Sequence, residues 1–212
     1  MTLEARVSAL EALLHAVPSN IPASELTPPL ARVREALCRL PGAALFRVPA
    51  NYYALDLRSR ARLLCCSPHQ LCKTLIFENP AAAASSSTAA GRSAPPPALG
   101  ARYVAVVLQY THKLDLGALQ RLLGAPGLAL AADGAQLSGF AHNGVSPFGM
   151  AGGGMPVLWC KSVLALGGAV WVGGGEPDVK ARVFVGALRG AGLAPAAVLD
   201  VSLPRGEEEW EA

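Results

Sequence analysis

The sequence predicts an α+β domain built on a mixed sheet. Three observations carry that expectation. Strand-like and helix-like segments alternate irregularly instead of in regular βαβ units, which disfavours a doubly wound parallel sheet. One segment, Tyr103 to Tyr110 (Y-V-A-V-V-L-Q-Y), has the continuous apolar centre of a strand buried on both faces. The 212 residues, 52% of them hydrophobic, suffice to close a core without disulfides or metals.

The elements follow in chain order. Leu3, Val7, Leu10, Leu14 and Val17 form a heptad stripe that Pro18 stops, so residues 3–17 read as a helix. A helix of that length is marginal alone in water. Its stripe packs either on the host domain or on a partner helix. A second helix is expected at 28–39, with Pro28 and Pro29 in its first turn and Pro41-Gly42 ending it. Leu45-Phe46-Arg47-Val48 reads as a strand, Leu55 to Cys65 as a helix, and Cys72 to Phe77 as a strand. Between 81 and 100, seventeen of twenty residues are Ala, Ser, Pro or Gly, the composition of a disordered surface insertion. After the strand at 103–110 come a helix at 115–123 and strands at 156–160 and 169–172. A short helix near 184–191 and a strand at 197–202 close the domain. The division expected is a helical extension over 1–44, a domain over 45–203, and an acidic tail over 204–212.

Composition excludes several classes of function. A net charge of +3, with four lysines, is too small for a strongly basic nucleic-acid wrapper, though it permits contact with a few phosphates. No run of about 18 uncharged apolar residues occurs, so no membrane span is expected. The start, Met-Thr-Leu-Glu-Ala-Arg, lacks the order of a signal peptide. Five cysteines, an odd number, point to a reduced, cytoplasmic chain.

Local patterns offer candidate chemistry. Cys66-x-x-His69-x-x-Cys72 has zinc-like spacing, but no second C-x-x-C pair supplies the remaining ligand, and buried structural cysteines are favoured. The expectation is no metal and no cofactor. Gly173-Gly174-Gly175 after a strand fits neither the dinucleotide fingerprint nor the P-loop. His142 lies in a glycine-rich loop with the surroundings of a site. Lys73 precedes Leu75-Ile76-Phe77, and strand alternation aims Lys73 toward the side of Leu75 and Phe77, at a strand end or into a cavity.

Four segments in order resemble one family. They are Cys72-Lys73-Thr74-Leu75-Ile76-Phe77, Tyr103-Val104-Ala105-Val106-Val107, Gly139 through Gly149, and Val170-Trp171-Val172-Gly173-Gly174-Gly175-Glu176-Pro177-Asp178-Val179-Lys180. The chain over about 45–203 is similar to the YbaK-like aminoacyl-tRNA deacylases, related to the editing domain of bacterial prolyl-tRNA synthetases. H-x-L-C-K before the strand and G-F-x-H-N-x-V-x-P-F-G later look most like the eukaryotic branch. The resemblance implies a mostly antiparallel, curled, barrel-like sheet flanked by helices. It also implies hydrolysis of mischarged aminoacyl-tRNA at its 3′ aminoacyl-adenosine end, with no metal, cofactor or covalent nucleophile.

Carried over residue by residue, the resemblance makes Lys73, Gly144 and Asp178 catalytic. Asn143, Ser146, Pro147, Gly173, Gly174 and Gly175 become substrate-binding by the same correspondence, and Tyr53, Thr74 and His142 are further substrate-binding candidates, His142 on its position in the glycine-rich loop. Asn143 stands where the family's loop has glycine. Backbone N–H groups of the two glycine-rich loops are the expected oxyanion donors. The expected partner is mischarged tRNA, with a synthetase complex or self-association through helix 3–17, and neither DNA nor membrane. A non-catalytic tRNA-binding or scaffold subunit is the alternative function, and a small zinc-bound domain centred on Cys66, His69 and Cys72 a third.

Overall fold

The computed structural model of the chain describes residues 18–84, 100–152, 154–190 and 192–210. The heptad segment 3–17 and residues 85–99 of the Ala/Ser/Pro stretch lie outside the described residues. Helix α1 (Pro28–Leu37) begins with its prolines in the first turn and places Leu30, Val33 and Leu37 in the main core. Strand β1 (Ala44–Arg47) follows. Next is helix α2 (Leu57–Leu63), whose N-cap Asp56 accepts a hydrogen bond from the Ser59 N–H. Strand β2 (Cys72–Glu78) leads into the short helix α3 (Pro80–Ala84). After β3 (Tyr103–Gln109) and β4 (His112–Leu114), helix α4 (Leu116–Leu123) ends at Gly124, whose φ of 60° is the left-handed conformation a side chain disfavours. The rest comprises β5 (Ala129–Leu130), α5 (Gly134–Ser138), β6 (Val157–Cys160), α6 (Lys161–Leu164), β7 (Ala169–Gly173), β8 (Val179–Phe184), β9 (Ala197–Leu199) and β10 (Ser202–Pro204).

These strands form three sheets among the described residues. The largest runs β5-β2-β3-β6-β9, antiparallel through β2–β3 and parallel from β3 to β9. A second runs β1-β8-β7 and is antiparallel throughout, and β10 pairs antiparallel with β4. The α+β class with a mixed sheet is therefore the observed one.

The expected barrel-like closure is corrected. The five- and three-stranded sheets meet through an isolated bridge, Leu71 to Trp171. Beyond that bridge no ladder joins β2 to β7 among the described residues, and a cavity lies between them. A second correction concerns the short helix expected near 184–191. Strand β8 runs to Phe184, and only a three-residue 3-10 turn, Val185–Ala187, follows it.

The sheets fix which side chains meet. One face of the β1-β8-β7 sheet sends Leu45, Val170, Val172, Val179, Ala181 and Val183 into the main core with α1 and β3. Its other face carries Trp171 into a smaller cluster with Val48, Tyr52, Leu57, Ala61, Leu64 and Leu71. Lys180 alternates with Val179 and Ala181 along β8, so it emerges toward Tyr52 and Tyr53. Folding has carried a charge to a face that is covered.

Candidate active site

The cavity between β2 and the β7–β8 hairpin has a volume of about 330 Å³. Strand β2 contributes Cys72 through Ile76 to its wall, and the loop before β6 contributes His142, Asn143 and Val145. Gly173 and Lys180 come from β7 and β8, while Tyr53 and Tyr110 close one end. The opposite end is apolar, with Ile76, Leu130, Ala131 and Ala135. Polar chemistry is therefore concentrated at the tyrosine end.

That end is organised by Tyr53. Its hydroxyl donates to the Asn143 carbonyl at 2.6 Å and accepts from Lys180 Nζ. The Lys180 ammonium also lies 4.4 Å from the Tyr53 ring centroid and 5.2 Å from that of Tyr52. Lys180 is only 6% exposed. Burial pulls its amine down to about 7, the Arg60 charge adds to the effect, and Asp178 opposes it. Burial also raises the Tyr53 and Tyr52 hydroxyls well above their ordinary value, so both stay protonated. Lys73 is half-buried, with its Nζ 5.5 Å from the Tyr110 ring centroid. Its ammonium is lowered by burial first and by Arg205 second. Thr74 is 7% exposed, and its hydroxyl has no hydrogen-bond partner among the described residues.

Of the residues singled out from the sequence, Tyr53, Lys73, Thr74, His142, Asn143 and Gly173 line this cavity together. Asn143 has φ 66°, a left-handed conformation that asparagine tolerates better than most residues, which accounts for its presence at a glycine-like position.

The other glycines make backbone contacts. The Gly144 N–H donates to Ala141 O at 2.9 Å, Gly174 to Val179 O at 3.0 Å, and Gly175 to Gly144 O at 2.9 Å. The Gly175 bond joins the two loops and the other two close turns within them, so these three N–H groups already have backbone acceptors. A Cβ on Gly173 would stand 2.2 Å from Val145 O, and one on Gly144 2.8 Å from the Glu176 backbone. Both glycines permit the close approach of backbone to backbone.

Three further expected residues lie off the cavity wall. Asp178 forms an ion pair with Arg47, which also stands 3.7 Å from Glu176. Ser146 is fully buried and accepts from the Phe148 N–H at 3.2 Å. Pro147 lines a separate cavity beside Trp159. Among the described residues no group of three or more His, Cys, Asp or Glu side chains is placed to hold a metal. Within the zinc-like pattern, burial raises the Cys72 thiol strongly and that of Cys66 to about 11, while His69 Nδ1 sits 3.2 Å from Thr111 Oγ1.

Sequence reasoning missed Lys180 and Tyr110. A signal for Lys180 existed in the alternation Val179-Lys180-Ala181-Arg182-Val183, which marks a strand with one core face. What covers the opposite face comes from Tyr52 and Tyr53, more than a hundred residues earlier, and no local pattern reports it.

The profile of the aminoacyl-tRNA editing domain matches residues 54–190, well over half of the chain. The chain belongs to the aminoacyl-tRNA editing domain family. Its activity is that of an aminoacyl-tRNA deacylase, which hydrolyses the ester joining a wrongly attached amino acid to tRNA. Comparison with curated proteins finds no match.

Solved structures share the fold of this editing domain. A candidate trans-editing enzyme for prolyl tRNA synthetase superposes with a TM-score of 0.62 and 24% identity, over 86% of this chain and 100% of its own. A hypothetical protein gives 0.60 and 24%, over 81% of this chain and 99% of its own. A candidate signal transduction protein from Marinobacter aquaeolei VT8 gives 0.52 and 17%, over 84% of this chain but 31% of that one. There the same fold is part of a longer chain.

Proposed function

We propose that the cavity between β2 and the β7–β8 hairpin receives the 3′ aminoacyl-adenosine of mischarged tRNA and that hydrolysis occurs at its tyrosine end. The observation that carries this reading is the convergence there of two lysines and a buried tyrosine hydroxyl. The apolar end, walled by Ile76, Leu130, Ala131 and Ala135, takes the amino-acid side chain and excludes those too large for it.

An aminoacyl ester is already activated, so the protein's task is to place water and stabilise the developing oxyanion. Lys73 is the donor free to face that oxyanion. Lys180, held near 7, has a substantial neutral fraction at physiological pH and accepts the proton from the attacking water. Tyr53, fixed between Lys180 and Asn143, positions that amine. His142 lies on the exposed rim, where it contacts the terminal ribose. Gly144, Gly173, Gly174 and Gly175 shape the wall, and Asp178 restrains Arg47 beside it.

The shared fold with a candidate trans-editing enzyme for prolyl tRNA synthetase is in keeping with action in trans on charged tRNA, and the odd number of cysteines with a reducing, cytoplasmic setting. Residues 3–17, with their heptad stripe, supply a means of association with a synthetase complex or with a second copy. The test is deacylation measured on a panel of mischarged tRNAs carrying amino acids of graded size. Hydrolysis confined to small side chains is the expected result, and no hydrolysis of any member contradicts the reading.

A further inference from the structure

A second cavity, of about 280 Å³, adjoins the first and shares Tyr53 and Tyr110 with it. Its remaining wall includes Arg60, Arg205, Glu209 and Trp210. The Arg60 guanidinium hydrogen-bonds only carbonyls, at Leu55 and Tyr53, and has no carboxylate partner among the described residues. Arg205 Nε lies 3.4 Å from Glu209, yet it is buried without a hydrogen bond, as is Trp210 Nε1. The Trp210 ring is seated edge-on against His69, with centroids 5.1 Å apart. Asp56, the other acid on this wall, is occupied in capping α2.

This cavity therefore combines the Arg60 guanidinium, which has no carboxylate partner among the described residues, and Arg205, whose Nε is left without a hydrogen bond beside Glu209, with an indole and two phenol rings, the elements that bind a phosphate and a base. Its position adds the direction. The first cavity runs from an apolar end to the Tyr53–Tyr110 wall, and the second begins on the far side of that wall. A substrate whose aminoacyl group fills the apolar end would carry its ribose to the tyrosines and its 5′ phosphate beyond them. Arg205 repels the Lys73 ammonium, and Arg60 that of Lys180, so an anion between the two cavities relieves both pairs.

We propose that the second cavity binds the nucleotide preceding the aminoacyl-adenosine, with Arg60 and Arg205 on the phosphate and Trp210 against the base. The proposal rests on the substrate assigned to the first cavity, and its test separates the two.

Adenosine and the dinucleotide cytidylyl-(3′→5′)-adenosine are titrated by NMR into the full chain, as wild type, Arg205→Gln and Trp210→Ala, with thermal melts alongside. The wild type is expected to bind the dinucleotide at least about tenfold more tightly than adenosine. That advantage falls as salt is raised, because the contact with one phosphate is screened. Each variant loses most of the advantage. The wild-type salt slope tests the phosphate contact even if a variant melts early. Equal, salt-independent affinity for the two ligands overturns the second subsite and leaves the first cavity's assignment standing. Failure of both ligands to bind, with no ester of the tRNA panel hydrolysed, overturns both.

Discussion

At the scale of single residues, the site is governed by how an amine is held under two tyrosine rings. A lysine that titrates at about 7 when folded and at 10.5 when unfolded opposes folding at neutral pH, because the unfolded chain binds its proton more tightly. The penalty is fully present below about 7 and is lost as pH rises toward 10.5. Lys180→Met should therefore stabilise the chain at pH 7 by on the order of a few kcal/mol, less whatever is lost with the Tyr53 hydrogen bond. The gain should shrink between pH 7 and 10, and chemical denaturation across that range measures it. The wild type is expected to show a rise in kcat/KM through about pH 7, and the same substitution should remove it, because the proton acceptor has gone. A wild-type profile that is flat from pH 6 to 9 assigns the proton to another group.

At the scale of elements, the β7–β8 hairpin and the loop before β6 are locked backbone to backbone, and this shapes the cavity. Gly173→Ala places a methyl group 2.2 Å from Val145 O, a contact with backbone that cannot rotate away. The expected loss is about 2–3 kcal/mol of stability, read as a lower melting temperature. An unchanged melt would show that the two loops separate freely.

These elements also show what the sequence made legible. Strands β2, β3, β6 and β7 follow from apolar runs and β-branched residues, and α4 from its Asp115 cap and Gly124 stop. Strand β8 was missed because Lys180 and Arg182 lend it the look of a half-solvated segment between a turn and a helix. Lys73 was legible because it sits inside an apolar strand signal. Asp178 carries a contact that a turn's sequence does not reveal, the ion pair with Arg47 on β1. Glycine spacing marks close backbone approach, but not whether the approaching group is substrate or another loop.

At the scale of the whole molecule, two sheets that meet at one bridge leave a cleft, and the cleft gathers two of the four lysines in the chain. A net charge of +3 is small for a protein that must engage tRNA, so recognition depends on where those charges stand. The family match over residues 54–190 contains every side chain described at the tyrosine end except Tyr52 and Tyr53, which adjoin it. Helix α1 lies outside that match yet buries Leu30, Val33 and Leu37 completely, so the folding unit is larger than the matched segment. Among the described residues no helix is long and apolar enough to cross a membrane.

The central claim is that this cleft hydrolyses the aminoacyl ester and that Lys73 supplies the charge its transition state needs. The most direct test is the rate at which wild type, Lys73→Ala and Lys73→Arg deacylate the best mischarged tRNA, with melts of all three. The account predicts that Lys73→Ala melts no lower than wild type, because a half-buried ammonium costs folding energy. Its rate should fall by at least about two orders of magnitude, with Arg rescuing poorly because a planar guanidinium does not fill the place of a compact ammonium. A folded Lys73→Ala protein that deacylates at the wild-type rate would contradict it.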